Sequence, residues 1–182
     1  SIGGGGGLGG AISFEHGVNL VVFDVSASLE GGQLTAGDGG AVTVDVEDDL
    51  TTLGDGAYGV IAQSIGGGGG IGGSDPTQPV NASKYSATSN DGGDTNAGGT
   101  VRVTVGASGS VSATGSNSVG VFAQSLGDVV PAPAATQTIA VTVNGDVTGG
   151  TGDQGYGVLI HGGDGANTLT VGEGATITSG GD

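Results

Sequence analysis

Two histidines, His16 and His161, and an abundance of serine are the raw material for a hydroxyl nucleophile with an imidazole base. That chemistry needs a turn that presents the hydroxyl, and no GxSxG elbow or comparable setting occurs. Both histidines therefore read as turn or surface residues. The stretch GGDGANTLT at 162–170 is close to the GGxGxDxUx nonapeptide, whose oxygens hold Ca²⁺ between neighbouring turns of a β roll. Asn167 stands where the Asp would be, and Leu169 takes the apolar place. Asp164 and Asn167 are thus the candidate calcium ligands, with an ordinary turn as the competing reading; no other cofactor is expected. The acidic run Glu47, Asp48, Asp49 reads as a solvated corner. GxGxxG occurs at 4–9, 54–59 and 67–72, but glycine tracts generate that pattern freely and no strand-to-helix context surrounds it.

Composition narrows the function classes further. Of 182 residues, 45 are glycine and none is Cys, Met or Trp, and the formal net charge is -16. Lys84 and Arg102 are the only cations, which excludes nucleic acid and anionic membrane surfaces as partners. Enzymes that cleave acidic polysaccharides need cations to neutralise a uronate, and sugar clefts are lined with aromatic groups. Three Phe and three Tyr supply little of that, so an enzyme is not expected. Without Cys there is neither a disulfide framework nor a thiolate metal site. No apolar run approaches the roughly 20 residues of a membrane-spanning helix, and no basic-then-apolar leader opens the sequence. SIGGGGGLGG at 1–10 reads as the end of a repeat, so the chain is expected to be one piece of a longer protein.

The elements that would position any site are visible as repeats. SIGGGGGLGG at 1–10 returns as SIGGGGGIGG at 64–73, differing only at Leu8 and Ile71. GVIAQSIG at 59–66 returns as GVFAQSLG at 120–127 and, decayed, as GVLIHGGD at 157–164, with Tyr58, Val119 and Tyr156 in the equivalent preceding place. Ahead of each lies AVTVDV at 41–46, TVRVTV at 100–105 or IAVTV at 139–143. LTVGEGATITSGG at 169–181 aligns without a gap on VTVGASGSVSATG at 103–115.

Each unit reads as three short strands of period two, joined by glycine turns. At roughly 25 to 30 residues per unit, this is about one coil of a solenoid in which like strands stack. The expected fold is all-β: a right-handed parallel β-helix (β-solenoid) of roughly five coils spanning 1–182, part of a longer rod. Residues 71–97 form an inserted polar loop, and 127–137 a shorter loop at the equivalent corner. Val42, Val44, Val46, Val101, Val103, Val105, Ile139, Val141, Val143, Leu169 and Val171 should point inward, joined by Val60, Val121 and Val158 from the third strand. Thr43, Thr104, Thr142 and Thr170 should face out. The turns GDG at 54–56, SGS at 108–110 and NGD at 144–146 should use glycine for positive φ.

YGVIAQSIGGGGGIGG, flanked by VTVDV-type strands, resembles the glycine-rich repeats of large autotransporter passenger domains from Gram-negative bacteria. The resemblance covers nearly the whole chain, and AQSIGGGGG is its specific part. It implies an exported, extracellular β-helix displayed at the bacterial cell surface, with the parent protein anchored in the outer membrane by a C-terminal barrel. The implied role is structural: adhesion to a host-cell, abiotic or glycan surface, aggregation or biofilm. No catalytic residues come with it. A secreted adhesin or a self-assembling filament subunit, with copies of itself as partner, is the alternative.

Overall fold

The computed structural model describes residues 38–66, 97–127, 137–163 and 166–180. Within them the chain is all-β. A first trio of strands, β1 (Val42–Val46), β2 (Leu50–Thr52) and β3 (Tyr58–Ile65), is followed by β4 (Val101–Val105), β5 (Ser110–Ala113) and β6 (Val119–Leu126). A third trio, β7 (Ile139–Val143), β8 (Asp146–Thr151) and β9 (Tyr156–Gly162), precedes β10 (Thr168–Val171) and β11 (Ile177–Gly180).

Each strand from β1 to β8 pairs in parallel with the strand three places further along the chain. The result is three sheets, ordered β1-β4-β7-β10, β2-β5-β8-β11 and β3-β6-β9. The registers match the repeats: Val44 opposes Val103, Val103 opposes Val141, and Leu169 opposes Val141 on the other side. Tyr58, Val119 and Tyr156 likewise share one column. Parallel pairing buries one β-branched residue on its counterpart, which is why runs such as VRVTV and IAVTV suit it.

One apolar cluster takes side chains from all three sheets. Val101, Val103, Val105, Ile139, Val141 and Val143 come from the first, Val111 and Val147 from the second, Val60, Val121 and Ala123 from the third. Full burial of a valine of this kind contributes on the order of 1.5 to 3 kcal/mol before chain entropy is charged against it. A smaller cluster joins Val119 and Phe122 with Tyr58 and Leu159, and the Tyr58 and Phe122 rings meet edge-on at 5.7 Å between centroids.

Two expectations need correction. Leu169 and Val171 lie in the expected columns, but each is 47% exposed. They sit on β10, which among the described residues pairs with β7 alone, so no further described strand stacks on it. The threonines do lie on the outer side of the first sheet, Thr43 and Thr170 exposed and Thr104 and Thr142 partly so; Thr104, Thr142 and Thr170 share a column with Asp45, and Thr43 stands opposite Arg102. Among the corner glycines, Gly56 does take a positive φ of 64°, but Gly109 and Gly145 do not. Their need for glycine is steric: a Cβ on Gly109 would lie 2.8 Å from the Val46 carbonyl oxygen, and one on Gly145 would strike the Gly109 carbonyl. Successive corners nest against each other, leaving no room for a side chain.

The same close approach explains the glycine at the second position of each third strand. Gly59, Gly120 and Gly157 form a column facing the second sheet, where Val111, Val147 and Ile177 are stacked. A Cβ on Gly120 would fall 2.7 Å from Val147 Cγ1, and one on Gly157 would fall 2.5 Å from Ile177 Cγ2. Glycine here lets the second and third sheets touch where the chain turns from one to the other.

Candidate functional site

The polar side chains that the fold gathers are on the third sheet. In the AQS motif, Ala62 and Ala123 enter the core, while the residues after them form two polar columns. Gln63, Gln124 and His161 make up one, Ser64, Ser125 and Gly162 the other.

The serines act as clasps. Ser64 Oγ donates to the Gly40 carbonyl at 2.7 Å and accepts from the Gly99 amide at 2.7 Å. Ser125 Oγ donates to the Gly99 carbonyl at 2.7 Å. Both serines are fully buried, so these bonds satisfy backbone groups that water cannot reach. They tie the end of one third strand to the approach of the neighbouring first strands. Gly39 and Gly98 permit it, since a Cβ on either would press on the serine oxygen at 2.5 and 2.6 Å. A buried hydroxyl committed to a carbonyl is no nucleophile.

The amide column is a hydrogen-bonded relay. Gln63 Nε2 donates to Gln124 Oε1 at 2.6 Å, and Gln124 Nε2 meets His161 Nδ1 at 2.6 Å. Gln124 is fully buried and His161 is exposed. The histidine thus bonds an amide rather than a serine hydroxyl, and no acyl-transfer pair forms through that nitrogen. His16 lies outside the described residues.

Of the two candidate calcium ligands, Asp164 lies outside the described residues. Asn167 is described, and its amide works on the backbone: Oδ1 accepts from the Ile139 amide at 3.1 Å, and Nδ2 donates to the Gly162 carbonyl at 2.7 Å. It joins the end of β9 to the start of β7. Among the described residues, no group of three His, Cys, Asp or Glu side chains is placed to hold a metal ion.

Other acidic residues do similar bonding at the corners. Asp55 Oδ1 accepts from the Ser116 amide at 2.8 Å, Asp38 Oδ1 from the Ala97 amide at 3.0 Å. Asp146 Oδ1 accepts from both the amide and the hydroxyl of Thr176, at 3.0 and 2.7 Å. In the Glu47, Asp48, Asp49 run, Asp49 accepts from Ser110 Oγ at 2.7 Å. Each carboxylate reaches across to the neighbouring repeat, much as an Asx cap serves a turn. Part of the acidic composition is therefore structural, a role that composition alone does not reveal. A cavity of about 480 Å³ opens beside this run between β1, β2 and β3, lined by Val44, Val46, Leu50 and Val60.

Of the glycine patterns, 54–59 forms the turn into β3 and leads to no helix, while 4–9 and 67–72 lie outside the described residues. The polar insertion expected at 71–97 falls outside them except for Ala97, and so do residues 128–136 of the shorter one. No helix among the described residues is long and apolar enough to cross a membrane. No family model, curated protein or solved structure matches the chain.

Proposed function

We propose that the chain is a length of right-handed parallel β-helix, a β-solenoid, that serves as a rigid acidic rod at the bacterial cell surface. Its work is structural: it holds and spaces adhesive surface for attachment, aggregation or biofilm, and it carries out no reaction. The observation that carries the reading is the pairing of strands three places apart in the chain, around a core fed by all three sheets. An architecture of that kind grows by adding repeats, so length is the property it most directly sets. The serines and acidic residues described above are spent on holding one repeat to the next, which also favours a structural role. Export, and anchoring of the parent through a C-terminal barrel, belong to the same proposal and rest on the AQSIGGGGG repeats.

The test is to display the chain on a non-adherent bacterium beside a helical domain of similar size and charge. Attachment to glass, glycan and cultured-cell surfaces, and settling of the culture, should rise several-fold over the control. No difference on any of these surfaces sinks the adhesive role.

A further inference from the structure

Three asparagines lie among the described residues, and the fold treats one of them differently. Asn117 Oδ1 accepts from the Gln154 amide at 3.3 Å. The Asn167 side chain is held at both ends, by the Ile139 amide and the Gly162 carbonyl. Asn144 is exposed, and neither its side chain nor the backbone amide of Gly145 makes a hydrogen bond among the described residues. Asn144–Gly145 is also the one Asn-Gly step in the sequence. Glycine puts no side chain in the way of a ring closing on its nitrogen, and asparagine is a chemically labile residue.

We propose that Asn144–Gly145 is a site of spontaneous backbone modification in the folded chain. The Gly145 nitrogen, on losing its proton to hydroxide, attacks Asn144 Cγ, and Nδ2 leaves as ammonia, closing a succinimide. Water then opens the ring. Breaking the bond from Cγ gives aspartate, and breaking the bond from the backbone carbonyl carbon gives a β-aspartyl linkage. The net exchange is one water in and one ammonia out, and the surface gains a negative charge.

The corner is shaped to take the aspartate. Glu47, Gly106, Asn144 and Gly172 follow directly on the column Val46, Val105, Val143 and Val171. A Cβ on Gly106 would fall 2.5 Å from Glu47 Oε2, and one on Gly172 would fall 2.6 Å from Asn144 Oδ1. A carboxylate therefore already leans over the next repeat's glycine at the equivalent place two repeats earlier. The β-aspartyl product fits less well. It adds a methylene to the two-residue link between β7 and β8, where Gly145 is nested against the Gly109 and Gly106 carbonyls.

Ageing the whole chain at mildly alkaline pH, once folded and once unfolded in urea, tests the proposal by peptide mapping with mass spectrometry. The Asn144 peptide should gain one mass unit in both states, with electron-transfer fragmentation finding aspartate and β-aspartate. Folding should slow conversion at Asn117 and Asn167 roughly tenfold more than at Asn144, because their hydrogen bonds must open first. Asn144→Gln, whose longer side chain closes a ring far more slowly, should lose the gain. Asn144→Asp should leave the melting temperature unchanged. If folding protects Asn144 as strongly as the other two, the reaction belongs to the unfolded chain and the proposal fails. A clear drop in melting temperature for Asn144→Asp overturns it as well, because the corner then rejects the product.

Discussion

Gly120→Ala tests the packing of the second sheet on the third at its tightest point. The new methyl would fall 2.5 Å from the Gly157 carbonyl oxygen, 2.7 Å from Val147 Cγ1 and 3.1 Å from the Thr148 carbonyl oxygen. Two of these neighbours are backbone, which cannot swing aside as a flexible side chain would. The cost is that of an overpacked core, about 2 to 3 kcal/mol. For a chain of this size, that lowers the melting temperature by roughly 4 to 12 °C. The control is Gly54→Ala, where the nearest described atom is 3.9 Å from the new methyl and φ is not positive. Removing glycine there restricts the unfolded chain and should stabilise by about 0.4 to 1 kcal/mol. Thermal and urea unfolding followed by circular dichroism give both values, with the midpoint difference between the variants as the quantity of interest. If Gly120→Ala melts within a degree of the wild type, or Gly54→Ala loses as much as it does, the close contact between the sheets is not real.

Three further outcomes follow from the bonds and columns described. Ser125→Ala strips a buried carbonyl of its donor and should lower stability by about 1 to 3 kcal/mol in urea titration. An unchanged midpoint would falsify the clasp. Thr52 Oγ1 is buried without a hydrogen-bond partner, so Thr52→Val should raise stability by about 1 kcal/mol, and a loss of that size would show that the hydroxyl is bonded. Val103→Ala, in a fully buried column, should cost about 2 kcal/mol, while Leu169→Ala, half-exposed on β10, should stay under about 1 kcal/mol. Equal losses in the two would mean that β10 is covered in solution.

Much of the strand plan is legible in the amino-acid sequence, because parallel stacking puts like on like. Aligning GVIAQS on GVFAQS and VTVDV on VRVTV already states the register that places Val44 on Val103. What stays hidden is whatever depends on the element across the core. Gly59, Gly120 and Gly157 recur openly in the sequence, yet their cause is Val111, Val147 and Ile177 on another sheet, which no local pattern names. Positive φ is the usual explanation for a corner glycine, and it holds for Gly56; at Gly109 and Gly145 the neighbouring repeat's backbone takes the place of torsion as the cause. The Gln63–Gln124–His161 relay is masked by the drift from Gln to His, and it emerges only once the column is aligned and side-chain atoms are placed.

The distance along the chain between stacked partners is not constant. Gln63 and Gln124 are 61 residues apart, Gln124 and His161 are 37, and Thr148 and Thr178 are 30, yet the pairing is parallel throughout. The surplus enters at one corner, between the third strand of one trio and the first strand of the next. Closing a longer excursion costs only about 0.6 kcal/mol for each doubling of its length. That corner therefore tolerates exchange of its contents: a foreign peptide whose two ends meet at the serine clasp inherits a fixed address on the scaffold, and selection can rewrite the cargo without renegotiating the frame.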